Sequence, residues 1–226
     1  SLENGKRLDI VLLINGFPVA IGELKTPVRN AITWLDGAQD ISDYEKSIPE
    51  MFVPNVFNFA SEGKCFRYGS VKMSLNKWGP WHTPDHKTEG NLSDVRLSVQ
   101  DMITPEKVMD IMQFFTLYST DKKHRKIKII CRYQQYEAAN LLVERVKDGY
   151  PKQGLIWHFQ GSGKSLLMLY AAQMLRADAK LKNPTVLVVV DRKDLDGQIN
   201  DTFGGADIKN LVPVQSCKKL GQHIEQ

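Results

Sequence analysis

The chain has 226 residues, of which 42% are hydrophobic and 25% charged, and these values are ordinary for a protein that folds around a core. Its apolar runs are far shorter than the roughly 20 residues of a membrane helix. The sequence shows no charged-then-apolar leader pattern at its start. Its three cysteines are too scattered for a zinc ribbon or a disulfide scaffold. We therefore expect a cytoplasmic protein with no membrane partner, and its net charge of +4 is compatible with nucleic acid.

The first half of the chain predicts two hairpins and two helices. Residues 8–25 are two apolar strands around Asn15-Gly16, which is the strongest short-range hairpin signal. The elements that follow are predicted from periodicity, helix caps and turn residues. They are a helix over residues 30–46, a hairpin over 55–60 and 65–71, an irregular segment over 73–94, and a helix from Thr104-Pro105 to about residue 119.

The second half has a different pattern, in which strands and helices alternate. After a basic segment at residues 122–126, the sequence predicts strands over 127–131, 155–159, 185–190 and 211–213, and helices over 133–147 and 164–180. Unbroken apolar strands that alternate with helices indicate a parallel sheet covered on both faces. The length corresponds to about one and a half domains, and we predict one domain over residues 1–121 and a second, partial one over residues 122–226.

A phosphate-binding loop is the strongest signal in the chain. Residues 158–165 read His-Phe-Gln-Gly-Ser-Gly-Lys-Ser, between a predicted strand and a predicted helix. Gly161, Ser162 and Gly163 would bring backbone N–H groups to a phosphate at the helix start. Lys164 would reach the β- and γ-phosphates of ATP, and Ser165 would ligate Mg²⁺. The full pattern has Gly where this chain has His158, and so short a motif also occurs by chance in turns.

Hydrolysis of ATP also needs a carboxylate at the end of another strand. Asp191 follows the apolar run 188–190, but Arg192 stands where a second acid is usual, and Asp191 lies on what should be the next strand. The interpretation of Asp191 as this carboxylate is therefore the weaker alternative, and we expect the ATPase within this sequence to be incomplete.

A second group of chemically active residues lies in the first predicted hairpin. Asp9 is on one strand, and Glu23 and Lys25 are on its partner. The two carboxylates could hold the divalent ion that phosphodiester hydrolysis needs, and Lys25, two residues after Glu23 on the same face, could stabilise the transition state. An edge strand with solvated charges is the alternative, but these charges interrupt strands that look buried.

The register of this hairpin provides a test of the metal hypothesis. A plain two-residue loop would pair Ile14 with Phe17 and would put Asp9 and Glu23 on opposite faces. A three-residue loop, or a bulge at Gly22, would return both carboxylates to one face. The hypothesis therefore predicts a bulged hairpin.

Together these residues resemble the restriction (motor and nuclease) subunit of type I restriction–modification enzymes, over nearly the whole chain. Apart from the phosphate loop, each piece is weakly specific, and their order and spacing carry the resemblance. The matching stretches are residues 8–9, 23–27, 48–49, 55, 61–63, 67–70, 132–136, 157–165 and 190–196. The last of them resembles motif Ia of superfamily-two translocases, which argues against a metal-binding role for Asp191.

The resemblance implies an α/β chain with a PD-(D/E)xK nuclease core, followed by part of a RecA-like lobe, as in the N-terminal fragment of such a subunit. Asp9 and Glu23 would be metal ligands, Lys25 the catalytic lysine, and Gln135 the glutamine that recognises adenine. The subunit would translocate double-stranded DNA with ATP, cut it with Mg²⁺, and assemble with methyltransferase and specificity subunits in a bacterium or archaeon. A solvated helix position is the alternative for Gln135.

One feature departs from the family pattern. The family places a catalytic Gln and Tyr four residues apart on a helix, whereas here Gln39 and Tyr44 are five apart and Asp40 has the expected Gln position. Five residues turn well beyond one helical turn, so either the helix contains a π-bulge or Gln39 does not have the family's role.

Two alternatives to the ATP-dependent nuclease remain open. The chain could be a DNA-bound anchoring module whose carboxylates no longer bind metal, or a helicase-like nucleotide-binding lobe fused to an inert α/β domain. Metal-dependent cleavage distinguishes the first hypothesis from both.

Overall fold

The structure, a computed structural model, describes residues 5–29, 31–120, 126–190, 212–214 and 216–224. It has a mixed α/β architecture with a four-stranded sheet, a two-stranded sheet and six α-helices in these ranges. No helix of the described residues is long and apolar enough to cross a membrane. Asp191 and most of the predicted basic segment lie outside the described residues.

The larger sheet contains both predicted hairpins of the first half. Its strands are β1 (Ile10–Ile14), β2 (Phe17–Leu24), β3 (Phe57–Ser61) and β4 (Phe66–Gly69), in that spatial order. The two hairpins β1–β2 and β3–β4 are antiparallel, and β2 pairs with β3 in parallel. A parallel pair needs a crossover, and helix α1 (Trp34–Ser47) provides it.

Helix α1 begins later than residue 30 because Thr33 caps it. Thr33 and Asp36 form a capping box, which satisfies free N–H groups of the first turn. The buried face of the helix consists of Gly37, Ala38, Ile41 and Tyr44, at helical spacing. This face packs against β2 and β3 and sets the distance between the helix and the sheet.

One prediction for the middle of the chain is wrong, and one helix there was not predicted. The helix opened by Thr104-Pro105 ends at Phe114 as α3 (Pro105–Phe114), and residues 116–120 form strand β5 (Thr116–Thr120). Strand β5 pairs with β6 (Lys126–Ile130), so a strand partner beyond the basic segment overrides the local helical pattern. Helix α2 (Leu92–Met102), capped by Asn91, was not predicted.

Two later helices confirm the sequence prediction closely, namely α4 (Tyr133–Asp148) and α5 (Lys164–Ala177). A final helix, α6 (Cys217–Ile224), was not predicted. Gly149 ends α4 in the left-handed conformation that favours glycine. Helices α4 and α5 pack against each other, and strand β6 precedes α4 as predicted.

The parallel sheet predicted after residue 126 is absent from the described part of the chain. Residues 155–159 and 185–190 have no strand partner there, and residues 212–214 are also outside any strand. Leu155, Trp157 and Val189 are 83%, 87% and 80% exposed. A strand is stable only when a neighbour takes its backbone hydrogen bonds, and the described residues place none beside these segments.

One continuous apolar cluster nevertheless joins residues before and after the predicted boundary at residues 121–122. The Phe115 ring lies 4.7 Å from that of Tyr136 and 5.3 Å from that of Tyr170. The Tyr68 hydroxyl donates to the Cys131 carbonyl at 2.7 Å. The division into two domains remains a prediction.

Candidate active site

The first hairpin has a two-residue turn and a bulge. Asn15 and Gly16 have φ values of 51° and 83°, as a tight turn of this kind requires, and Ile14 pairs with Phe17. The three-residue loop considered above is therefore wrong. Further along the ladder the register shifts, which is the bulge that the metal hypothesis predicted.

The bulge lies at Val19 rather than at Gly22. Leu13 pairs with Pro18 but Leu12 pairs with Ala20, so Val19 is the additional residue. Pro18 has no N–H to donate to the ladder, which favours an irregularity beside it, and the Val19 carbonyl accepts from Val56 N at 2.7 Å instead. The shift brings the positions of Asp9 and Glu23 opposite each other.

The two carboxylates meet at the end of the hairpin. Asp9 N donates to Glu23 Oε1 at 3.3 Å, and Leu24 N donates to Asp9 Oδ2 at 3.0 Å. Asp9 is exposed, whereas Glu23 is only 3% exposed. Burial, followed by the charge of Asp9, raises the pKa of Glu23 to about 7. The site thus combines an accessible carboxylate with a buried one that holds a proton easily.

Lys25 lies beside this pair. Its Nζ atom is 3.7 Å from Glu23 Oε2, and it donates a hydrogen bond to Asp40 Oδ2 on α1. Burial opposes its charge, but the hydrogen bond and charge of Asp40, together with Glu23, raise the pKa of Lys25 above its ordinary value. Lys25 is therefore a charged ammonium group at the edge of the carboxylate site.

Helix α1 places Asp40 and Tyr44, but not Gln39, at this site. The helix is α-helical throughout, without a π-bulge, so Gln39 is exposed and its Nε2 donates to Asp43 Oδ1 at 3.4 Å. The Tyr44 hydroxyl donates to the Arg7 carbonyl at 3.3 Å. Burial and the charges of Glu23 and Asp40 raise the pKa of Tyr44.

The candidate site therefore corrects the sequence prediction at one position. Gln39 is not among the residues that the structure brings together, and Asp40 takes its place. The signal was present in the sequence, because Asp40 stands four residues before Tyr44, on the same helical face.

Asp9 and Glu23 fit a divalent cation by their chemistry. Carboxylate oxygens are the ligands that Mg²⁺ prefers, and a cation would offset the cost of two neighbouring anions, one of them buried. The described residues contain no group of three or more His, Cys, Asp or Glu arranged to hold a metal. Within the described ranges, Asp9 and Glu23 are therefore the carboxylates that we assign to such an ion.

The phosphate loop has the predicted local form. Gly161 and Gly163 have φ values of 81° and 82°, and α5 begins at Lys164. Lys164 Nζ donates to the carbonyls of His158 at 3.2 Å and Phe159 at 2.9 Å, so its charge lies over the loop. Such a loop at a helix start can bind phosphate through N–H groups, the helix dipole and the ammonium.

Two serines complete this loop. Ser165 is half-buried in the first turn of α5. The Ser162 hydroxyl is buried without a hydrogen-bond partner within the structure described. A phosphate or a bound ion would supply such partners, so the residues present fit a magnesium nucleotide.

Gln135 connects α4 to this loop. Its Oε1 accepts from Arg132 N at 2.8 Å, and its Nε2 donates to the carbonyls of Ser162 at 3.2 Å and Gly163 at 2.9 Å. The side chain is 2% exposed. Both amide hydrogens are engaged by the loop, so the adenine-binding role remains a prediction that would require them to exchange partners.

Comparison with known proteins adds two family matches. Residues 2–77 match the family described as the N terminus of the type I restriction enzyme R protein, and residues 134–226 match the SWI2/SNF2 ATPase family. These matched ranges include the carboxylate site and the phosphate loop, respectively.

Curated relatives align with most of the chain. The endonuclease subunit of the type I restriction enzyme HindI from Haemophilus influenzae is 35% identical over 95% of this chain and 21% of its own length. The putative MjaVIIIP endonuclease subunit from Methanocaldococcus jannaschii is 33% identical over 96% of this chain and 21% of its own length. The chain thus spans about a fifth of the length of these relatives.

Proposed function

Because the chain belongs to the family of type I restriction enzyme endonuclease subunits, we propose that it carries the DNA-cutting site and the ATP-binding loop of an ATP-dependent endonuclease and double-stranded DNA translocase. In this proposal residues 1–121 form a PD-(D/E)xK nuclease core, and the later residues are part of a RecA-like lobe. One observation carries the nuclease role: the Val19 bulge brings Asp9, Glu23 and Lys25 together on one side of the hairpin.

The proposed cutting site assigns separate roles to four side chains. Asp9 and Glu23 would hold Mg²⁺, which when bound supplies an activated water and offsets charge on the leaving oxygen. The Lys25 ammonium, beside Glu23, would stabilise the negative charge that develops on the scissile phosphate. Tyr44 donates to the Arg7 carbonyl, so its proposed contribution is to hold the segment that leads to Asp9.

The proposed nucleotide site uses the phosphate loop. Backbone N–H groups at Gly161, Ser162 and Gly163 would surround the phosphates, Lys164 would turn from the loop carbonyls to the β- and γ-phosphates, and Ser165 would contact Mg²⁺. Gln135, on α4, supports the loop through hydrogen bonds to the carbonyls of Ser162 and Gly163. Energy from ATP would then drive movement along double-stranded DNA before cutting.

The proposed partners follow from the family. The relatives are named as endonuclease subunits of restriction enzymes, so we propose that this chain acts in a complex with methyltransferase and specificity subunits on double-stranded DNA. In that arrangement the recognised sequence is set outside this chain.

The decisive experiment measures plasmid cleavage and ATP turnover by the complete assembled enzyme. With Mg²⁺ and ATP, Asp9→Asn should lower cleavage by about 10²-fold or more, because a preorganised charge is lost, while ATP turnover persists. The matched control is Asp85→Asn, an exposed aspartate in a loop, which should cut normally. Cutting by Asp9→Asn at the parent rate would favour the inert anchoring module instead.

A further inference from the structure

Helix α1 approaches strand β2 unusually closely at Glu23. A Cβ atom at Gly37 would lie 3.2 Å from Glu23 Cβ and 3.3 Å from the Ala60 Cβ, which is closer than ordinary van der Waals contact. Gly37, Ala38 and Ile41 are buried against the sheet. The helix backbone is therefore fixed relative to the strand that carries Glu23 and Lys25.

Asp40 lies about one helical turn after this contact point, and its carboxylate meets the Lys25 ammonium. The Lys25 and Asp40 side chains are 23% and 43% exposed. Lys25 Nζ is also 3.7 Å from Glu23 Oε2, so it lies between a carboxylate on the helix and one on the strand. Asp40 is not a member of the Asp9–Glu23 pair, and the proposed mechanism has not used it.

We infer that Asp40 is a positioning residue for Lys25. The Asp40 carboxylate, on helix α1, holds the Lys25 ammonium at the edge of the cutting site. The inference rests on the proposed nuclease function. A lysine has a flexible four-carbon stem, and ordering it costs conformational entropy. A fixed ion pair from a rigid helix supplies that order before DNA arrives.

Charge explains why a carboxylate suits this place. If Glu23 held a divalent cation, the cation would neutralise the negative charge of Glu23 and would repel the Lys25 ammonium. Asp40 would then be the anion that keeps Lys25 near the site. A neutral amide at the same position would accept a hydrogen bond but would not oppose this repulsion.

The first test is made without metal. In metal-free protein, the rate at which an amine-reactive acylating reagent labels Lys25, measured by mass spectrometry, should rise several-fold in Asp40→Asn. The matched control is Asp43→Asn on the same helix, whose partner is Lys46 at 3.0 Å. That control should leave Lys25 labelling unchanged, and equal Lys25 labelling in parent and Asp40→Asn would overturn the inference.

The second test is a double-mutant cycle in the complete enzyme. Asp40→Asn should lower DNA cleavage about 10–100-fold, as loss of a partner that orients an active residue does, with ATP turnover unchanged. Asp40→Glu, which restores the charge, should recover much of the rate. In a Lys25→Ala background, Asp40→Asn should have almost no further effect, because both changes act through one group.

The outcomes separate this inference from the proposed function. If Lys25→Ala lowers cleavage but Asp40→Asn does not, the nuclease stands and Asp40 has no positioning role. If the Asp40→Asn enzyme cuts faster than the parent, Asp40 inhibits Lys25 rather than positioning it, and this result also overturns the inference. Normal cutting by Lys25→Ala would remove the proposed nuclease role itself.

Discussion

The carboxylate site and the phosphate loop differ in how far apart in sequence their residues lie. Asp9 and Glu23 are 14 positions apart and meet through the register of a bulged hairpin. The phosphate loop takes Gly161 to Ser165 from consecutive residues at the start of α5. The first site therefore depends on strand pairing, whereas the second depends mainly on local backbone conformation.

The surroundings of the two sites differ as well. Strand β3 and most of β2 are buried, and α1 covers them. The apolar segments 155–159 and 185–190, on either side of α5, are largely exposed in the same structure. Among the described residues, the phosphate loop thus lies beside segments with no strand partner, whereas the carboxylate pair lies at a hairpin that is part of a four-stranded sheet. Each of the following predictions tests this contrast.

The largest expected effect comes from removing one lysine at each site of the complete enzyme. Lys164→Ala would remove the proposed contact to the β- and γ-phosphates, so ATP turnover, translocation and cleavage should all be abolished. Lys25→Ala should lower cleavage by about 10²–10³-fold while ATP turnover and translocation persist. ATP turnover and plasmid cutting, measured side by side, give the result.

The matched control is Lys152→Ala, at an exposed position between helices α4 and α5, and it should retain all activities. The expected asymmetry is that cutting depends on the motor and the motor does not depend on cutting. Normal cleavage of a two-site plasmid by Lys164→Ala would contradict this order of events.

The second effect concerns pH at the carboxylate site. The pKa of Glu23 is raised from 4.5 to about 7, so the folded chain favours the protonated carboxyl. The stability that this preference contributes is fully present below pH 4.5 and is lost as the pH rises through about 7. Between pH 5 and pH 8 the free energy of unfolding of the metal-free chain should therefore fall by up to about 3 kcal/mol relative to Glu23→Gln. Denaturant unfolding of both proteins measures this difference.

Divalent cations should reverse this trend, because they bind the ionised carboxylate. Mn²⁺ should stabilise the chain more at pH 8 than at pH 6, and Glu23→Gln should remove most of that increase. Glu144→Gln, at an exposed position of α4, serves as the control and should behave like the parent. Equal stabilisation by Mn²⁺ at both pH values would count against metal binding at Glu23.

A third prediction concerns packing under the carboxylate site. A Cβ atom at Gly22 would lie 2.2 Å from the ring of Phe59, which is 1% exposed. Gly22→Ala should therefore lower the free energy of unfolding by about 1–3 kcal/mol through overpacking. Gly79→Ala, where a Cβ would meet no atom within 4 Å, should cost much less. Equal stabilities of the two variants would show that β2 does not depend on this contact.

The smallest effect is expected at Gln135, where the phosphate loop meets α4. Gln135→Ala removes two hydrogen bonds to loop carbonyls, so ATP and GTP should both bind several-fold more weakly, at a cost of about 1–2 kcal/mol. Gln134→Ala, its neighbour on the same helix, is the control. A loss confined to ATP, with GTP binding unchanged, would favour the adenine-binding role.

The sequence by itself determined the features that depend on near neighbours. The turn at Asn15-Gly16, helix α4 with its end at Gly149, and the phosphate loop before α5 all lie where short motifs predicted them. Each rests on backbone conformations that particular residues favour over a few positions. The residue types of the carboxylate site were likewise evident, as was the need for a bulge between them.

The tertiary structure alone decided the rest, because distant partners set register and burial. The bulge lies at Val19, whose carbonyl is taken by the segment before β3, and residues 116–120 are a strand because β6 pairs with them. Asp40 rather than Gln39 reaches Lys25 because the close contact at Gly37 fixes how α1 lies on the sheet. Local sequence patterns indicate that a bulge is needed and that Asp40 shares a helical face with Tyr44. They do not specify the position of the bulge or the contact with Lys25, because both depend on residues that are distant in the chain.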